Sequence, residues 1–371
     1  MIPLNQNLSG LRRSPIRVFT NMAREVPDCA MLTIGEPDFD TPEAITEAAI
    51  AALRDHQTHY APNQGTQALR EAIAAREKVK PEQVLVTIGA CQAIFTALLG
   101  ILNPGEEIIV PTPGFGLYET IATIAGARTV PLDLTRTGFQ IDPDALNAAI
   151  TPRTKAIVLN SPCNPTGVVL NEKSLAAVKA AVLGKPIFVL CDNVYQGLCS
   201  RPCPDLSRDA ELKDQILLCQ SFSKPWAMTG WRVGYLIGEK DVMERLLLLH
   251  AAEVAAVPTF LQDACVAALA TSTREMARVY EGRREFVCNR LREMGLSFPE
   301  PKGAFYVFAD ISGFGMTDEE FCTRLIKEAA VATVPGSCFD CPGYLRISYC
   351  CSDVDLQKGM DRLESFLNKV K

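Results

Sequence analysis

Between residues 84 and 237 the sequence keeps switching its hydrophobic period, and this narrows the fold more than any other feature. Seven short apolar runs lie at 84–88, 107–110, 128–132, 155–159, 186–191, 215–219 and 232–237. Most are separated by longer stretches of helical period, such as 92–102, 119–127 and 174–183. Short runs rich in Val and Ile, without polar alternation, read as strands buried on both faces. Strands alternating with helices predict a mainly parallel seven-stranded sheet between helical layers, with right-handed crossovers by the general rule. Hydrophobic residues make up 48% of the 371 and charged ones 22%, enough for a packed core of about two domains.

Beyond residue 240 the pattern turns mostly helical, with a long charged stretch at 272–293. An apolar run at 304–308, a helix at 317–330 and short runs at 331–334 and 344–348 then predict a smaller α+β domain. The expected division is a large domain over 41–275, a small one over 276–371, and an N-terminal segment over 1–40. That segment is expected to join the small domain and cover a cleft. The chain holds no internal repeat and no low-complexity tract.

A net charge of -6, without a basic stripe interleaved with aromatics, argues against nucleic acid as a partner. The N-terminus has no charged start followed by an apolar core, and no apolar run approaches the ~20 residues of a membrane span. A soluble, cytoplasmic protein is the expectation, with no membrane partner. The fourteen cysteines are scattered, apart from Cys199-x3-Cys203, Cys338-x2-Cys341 and the adjacent Cys350 and Cys351. With only His56, His59 and His250 to assist, free thiols are a better reading than a zinc site, and no metal is expected. The same scarcity disfavours a Ser-His-Asp centre.

In open α/β sheets, ligands bind beyond the carboxyl ends of the strands, and there the unusual residues follow one another. After the first run, Gly89-Ala90-Cys91 opens a helix whose free N–H groups suit an anion, although a plain turn would look the same. After the second comes Phe115, either a core residue or an aromatic that stacks on a flat ring. After the fourth, Asn160-Ser-Pro-Cys-Asn164-Pro165 holds the Asn164 amide in a stiff loop. After the fifth, Asp192-Asn-Val-Tyr195 puts a carboxylate where it needs a cation, or where it simply caps a helix. After the sixth, Ser221-Phe-Ser223-Lys224 and Arg232 bring together one amine, two hydroxyls and a guanidinium. The amine can form a Schiff base with an aldehyde while the others grip a phosphate. Pyridoxal 5′-phosphate carries both groups.

These segments resemble the fold-type I, class I/II aminotransferases in order and in type. The resemblance runs from Gly35-Glu-Pro-Asp-Phe-Asp-Thr-Pro to Leu345-Arg346-Ile-Ser. It implies that Lys224 is the Schiff-base lysine and that Asp192 pairs with the pyridine nitrogen. By the same likeness Asn164 and Tyr195 hold the phenolate oxygen and Phe115 stacks on the ring. Gly89, Ala90, Cys91, Ser221, Ser223 and Arg232 match the phosphate cup. Arg346 matches the clamp on the substrate α-carboxylate, which Gly35 and Asn164 also approach. Tyr60 matches a tyrosine that reaches the phosphate of a neighbouring subunit, which implies a homodimer with shared active sites. The departures are few: Phe115 where tyrosine is usual, Asn193 for a frequent glutamate, and Cys338 for a small residue.

The implied reaction moves the amino group of an L-amino acid to a 2-oxo acid by way of pyridoxamine phosphate, with Lys224 carrying the proton. A carbon–sulfur β-lyase on the same fold is the alternative, although many such lyases carry a histidine in the loop where Cys163 stands. CoA-dependent acyl transfer and a non-catalytic cofactor-binding protein are more remote. Arg12, Arg13 and Arg17 are candidates to meet an acidic side chain, or form a solvated face. Ile2 and Leu4 could equally line an apolar pocket.

Overall fold

The computed structural model describes residues 2, 4–11, 15–199 and 201–370; Arg12 and Arg13 fall outside them. All seven apolar runs are strands of one sheet. In chain order the strands are β1 (Ala30–Met31), β2 (Val84–Thr87), β3 (Glu107–Thr112), β4 (Arg128–Asp133), β5 (Thr154–Asn160), β6 (Phe188–Asp192), β7 (Ile216–Ser221), β8 (Gly234–Ile237), β9 (Tyr306–Asp310), β10 (Val331–Ala332), β11 (Val334–Pro335) and β12 (Tyr344–Ser348). The large sheet has the order β2-β8-β7-β6-β5-β3-β4. The β8 strand pairs antiparallel with both of its neighbours, β2 and β7. The other ladders are parallel. Mainly parallel pairing, with helices on both faces, follows from strands too apolar to leave either face in water.

The two edges of the sheet differ in burial. The residues of β2, at one edge, and of its neighbour β8 are buried throughout, whereas β4, at the other edge, has Arg128, Pro131 and Asp133 exposed. Edge placement explains how Pro131 is tolerated inside a strand. Between the strands, side-chain caps start several helices. Asn171 accepts from the Ser174 N–H at 2.8 Å before the helix Glu172–Val182, and Asp142 from Ala145 at 2.9 Å before Pro143–Ala149. Each such cap contributes about 1 kcal/mol.

The rest of the chain packs around two small sheets. One pairs β1 with β10 in parallel, tying the N-terminal segment to the C-terminal part. The other is antiparallel, in the order β11-β12-β9. The long charged stretch is the helix Arg274–Glu293, and the predicted helix at 317–330 spans Asp318–Ala329. A further core cluster joins Phe305, Tyr306, Leu345 and Ile347 with Leu32 and Phe19. This α+β body closes over the carboxyl ends of the large sheet. β3 and β5 lie side by side, and the chain leaves them toward opposite edges, so a crevice opens there.

Candidate active site

Thirteen residues from five strand ends line one cleft, among them Ala90, Phe115, Asn164, Asp192, Lys224 and Arg232. Cys91, Tyr195, Ser221 and Ser223 also line it. Sequence reasoning thus picked out ten side chains that the fold converges on one space. Gly89, Gly35 and Arg346 lie beside it through the contacts described next. Tyr60 does not join them: it is 93% exposed on this chain.

At the anion end, the helix Gly89–Ile101 begins directly behind β2. Gly89 has φ +70°, and a Cβ there would lie 2.3 Å from Nη2 of Arg232, so only glycine lets the guanidinium approach. Arg232 itself holds a left-handed backbone, φ +54°, uncommon for a residue with a side chain. Its Nη1 donates to the Thr229 carbonyl at 2.8 Å and to Ser223 Oγ at 3.4 Å. Ser221 Oγ accepts from the Ser223 N–H at 3.0 Å. Two hydroxyls, one guanidinium and a helix N-terminus therefore surround the same point, a constellation that fits a phosphate dianion. The Cys91 thiol is pushed up by burial, so it is not poised as a thiolate nucleophile.

Asp192 ends β6 and is 4% exposed. Tyr118 Oη donates to its Oδ2 at 2.5 Å and the Val194 N–H to its Oδ1 at 3.4 Å. Burial still raises the carboxyl from 3.8 to about 6, against the pull of those two donors. A buried carboxylate without a cation is costly, and a protonated ring nitrogen is the partner that would relieve it. Phe115 meets the Tyr118 ring edge-on, centroids 6.2 Å apart.

Lys224 is nearly enclosed, and burial lowers its amine below the usual lysine value. Its Nζ donates to the Gly35 carbonyl. Gly35 has no room for a side chain: a Cβ would come within 2.0 Å of Tyr306 Oη. That hydroxyl lies 3.1 Å from Tyr195 Oη. Burial raises both phenols, Tyr306 to about 12 and Tyr195 further.

Arg346 rises from β12 and is 2% exposed. Its Nη1 donates to Asn164 Oδ1 at 2.8 Å and its Nη2 to the Thr33 carbonyl at 2.6 Å. Its guanidinium carbon sits 4.4 Å from the centre of the Tyr306 ring. The Nε–H is buried without a partner among the described residues, an orphan that a carboxylate oxygen would satisfy. Asn164 is in turn braced through its N–H, which donates to Asn160 Oδ1 at 2.8 Å.

Tyr118, Asn160, Tyr306 and Thr33 were not singled out from the sequence. Asn160 opens the stiff loop that holds Asn164, and Tyr118 lies three residues after Phe115, so both share the signal of standing at a strand end. Tyr306 reads as a strand residue, and Thr33 carries no local signal.

The chain matches the family described as aminotransferase class I and II over residues 27–363. It is 38% identical to a probable N-acetyl-LL-diaminopimelate aminotransferase of Bacillus subtilis, covering 99% of this chain and 96% of that one. It is 36% identical to an aspartate aminotransferase of Pyrococcus abyssi, covering 99% of both. The solved structure of Thermus thermophilus aspartate aminotransferase with maleate superposes with a TM-score of 0.93 at 36% identity, covering 98% of this chain and 100% of that one. These relatives favour amino-group transfer over the carbon–sulfur lyase alternative. With the sheet, the cleft and these likenesses together, the chain belongs to the class I and II aminotransferases, enzymes that move an amino group using pyridoxal 5′-phosphate.

Proposed function

We propose that Lys224, Asp192 and Arg346 divide the work of transamination between an L-amino acid and a 2-oxo acid. The reading rests on one observation: among the described residues, a carboxylate without a cation and two cations without an anion are buried around one cleft. When bound, pyridoxal phosphate supplies an aldehyde that condenses with amines and a ring that accepts the electron pair left when a Cα–H bond breaks. Lys224 Nζ, which burial keeps from holding its proton tightly, takes the α-proton and returns it one carbon away, as base and then acid. Asp192 keeps a proton on the ring nitrogen. Asn164 and Tyr195 hold the phenolate oxygen, and Phe115 covers the ring. Gly89, Ala90, Cys91, Ser221, Ser223 and Arg232 hold the phosphate. Arg346 binds the α-carboxylate, which Gly35 allows to come close.

Tyr60 is proposed to act across a homodimer, reaching the phosphate held by the partner chain. Its 93% exposure is consistent with a surface that a second copy covers. The segment 1–40 with 276–371 is proposed as the small domain and 41–275 as the large one. A cytoplasmic location is part of this reading. Among the described residues no helix is long and apolar enough to cross a membrane.

Aspartate is the first donor to test, because two of the relatives above are aspartate aminotransferases. Purified protein, loaded with cofactor, is mixed with single amino acids in the absence of any oxo acid. The expected result is a change in cofactor absorbance with one equivalent of 2-oxo acid released. Sustained ammonia and pyruvate from cysteine would instead indicate the lyase. Lys224→Ala should keep its fold and lose ~10²–10⁴-fold in turnover; turnover close to the wild type would remove Lys224 from its role.

A further inference from the structure

Cys199 and Cys203 place their sulfurs 3.0 Å apart, and transamination uses neither thiol. Both are free and only partly buried. Two thiols in contact need an explanation beyond packing. A metal site is not it: among the described residues no group of three Cys, His, Asp or Glu side chains is placed to hold an ion.

We propose that Cys199 and Cys203 form a reversible oxidation site that reacts with hydroperoxides to close a disulfide. Cys203 also lines an open groove in which Arg201, Arg284, Arg292 and Lys302 are interleaved with Glu281, Glu285 and Glu300, so a small oxidant has access. Contact between the thiols favours ionising one of them. The Cys199 S–H steadies a Cys203 thiolate, lowering the Cys203 thiol and raising that of Cys199, and the thiolate is the reactive form. The Cys203 sulfur attacks one peroxide oxygen, the O–O bond breaks, and the departing oxygen leaves as water or alcohol after taking a proton. Cys203 then carries a sulfenic acid. The Cys199 sulfur attacks the Cys203 sulfur, the S–O bond breaks, and a second water leaves with the Cys199 proton. Two thiols are thereby oxidised and one peroxide is reduced.

The site adjoins the catalytic cleft. Cys199 directly follows the short turn Gln196–Leu198, which begins after Tyr195. Its sulfur also lies against Gly303, where a Cβ would meet it at 2.8 Å, and Gly303 leads into Phe305 and Tyr306. A disulfide draws the sulfurs about 1 Å closer, and it does so at a point that both hydroxyl-bearing segments touch.

The test exposes the cofactor-loaded enzyme to limiting hydrogen peroxide, alkylates the remaining thiols, and reads each cysteine by peptide mass spectrometry. Cys29, a partly buried free thiol like the pair and not among the cleft residues, serves as the internal comparator. The expected result is joint loss of alkylation at Cys199 and Cys203, with the peptide lighter by two hydrogens, about ten-fold faster than loss at Cys29. Dithiothreitol should restore both. In Cys199→Ser, Cys203 should stop at a sulfenic acid that dimedone traps. In Cys203→Ser, Cys199 should remain alkylatable. Serine is near in size, and retained cofactor absorbance reports that each variant is folded. Oxidation of Cys29 while Cys199 and Cys203 stay alkylatable would overturn the proposal, as would over-oxidation of either without a disulfide.

Discussion

Tyr118 Oη and Asp192 Oδ2 stand 2.5 Å apart, joining the helix Leu117–Ile124 to the end of β6. The phenol is one of two donors that oppose the effect of burial on this carboxyl. Tyr118→Phe leaves Asp192 with the Val194 N–H alone, so its pKa should climb above about 6. A hydrogen bond to a charged group contributes about 1.5–3 kcal/mol, equivalent to ~1–2 pH units. Titrating the apoenzyme with cofactor between pH 5 and 9 should show the acid limb of binding moved up by about that much. An unmoved limb would mean that Tyr118 is only packing.

Asp192 also makes the apoenzyme's stability depend on pH. Its folded pKa, about 6, lies above the ordinary 3.8, so the folded chain binds the proton more tightly than the unfolded one. The carboxyl costs nothing below pH 3.8; the cost accrues as pH rises toward 6 and is complete above it. Two units correspond to ~3 kcal/mol. Asp192→Asn apoenzyme should therefore exceed the wild type in urea stability at pH 8 by up to ~3 kcal/mol, an advantage that fades toward pH 4. Its cofactor binding should weaken at the same time. A constant difference across pH would disconnect the effect from ionisation.

Arg346 is held on two sides by Asn164 and Thr33 while its Nε–H has no partner. Lysine cannot reproduce a planar fork. Arg346→Lys should lower kcat/KM by about 10²-fold or more for amino acids and 2-oxo acids alike, the scale of a lost buried charge contact. Steady-state kinetics in both directions checks this. A loss confined to one acidic substrate would place Arg346 at the side chain rather than at the α-carboxylate.

Gly89→Ala tests the anion end. The new methyl would have to displace Arg232 Nη2 from 2.3 Å and occupy a φ of +70°. Strain of this kind costs ~1–3 kcal/mol, so the cofactor should bind about ten-fold or more weakly while the fold persists. Competition by inorganic phosphate should weaken in parallel, since both anions would use the same cup.

The strands and most of the site were legible because their signals are local. A buried strand needs only a run such as Ile108-Ile109-Val110, and a residue past its end is marked by position alone. That is how Lys224, Asp192 and Asn164 were found. Strand order was not legible: β8 inserts between β2 and β7, and nothing within 232–237 specifies its neighbours. Tyr306 was missed for a related reason. It belongs to β9, and its hydroxyl acquires meaning only when Tyr195, 111 positions away, arrives beside it.

The sequence by itself determined the element types, the family and the chemical kinds of side chain available, since hydrophobic period and short motifs act over a few residues. Tertiary structure decided which of those side chains meet. Arg346 finds Asn164 across 182 positions and Lys224 finds Gly35 across 189, distances over which only the closed core fixes geometry. The same closure removes water from Asp192 and Lys224 and shifts their protons in opposite chemical senses: the acid is raised and the amine lowered. Desolvation belongs to the whole packed chain, so no segment encodes it alone.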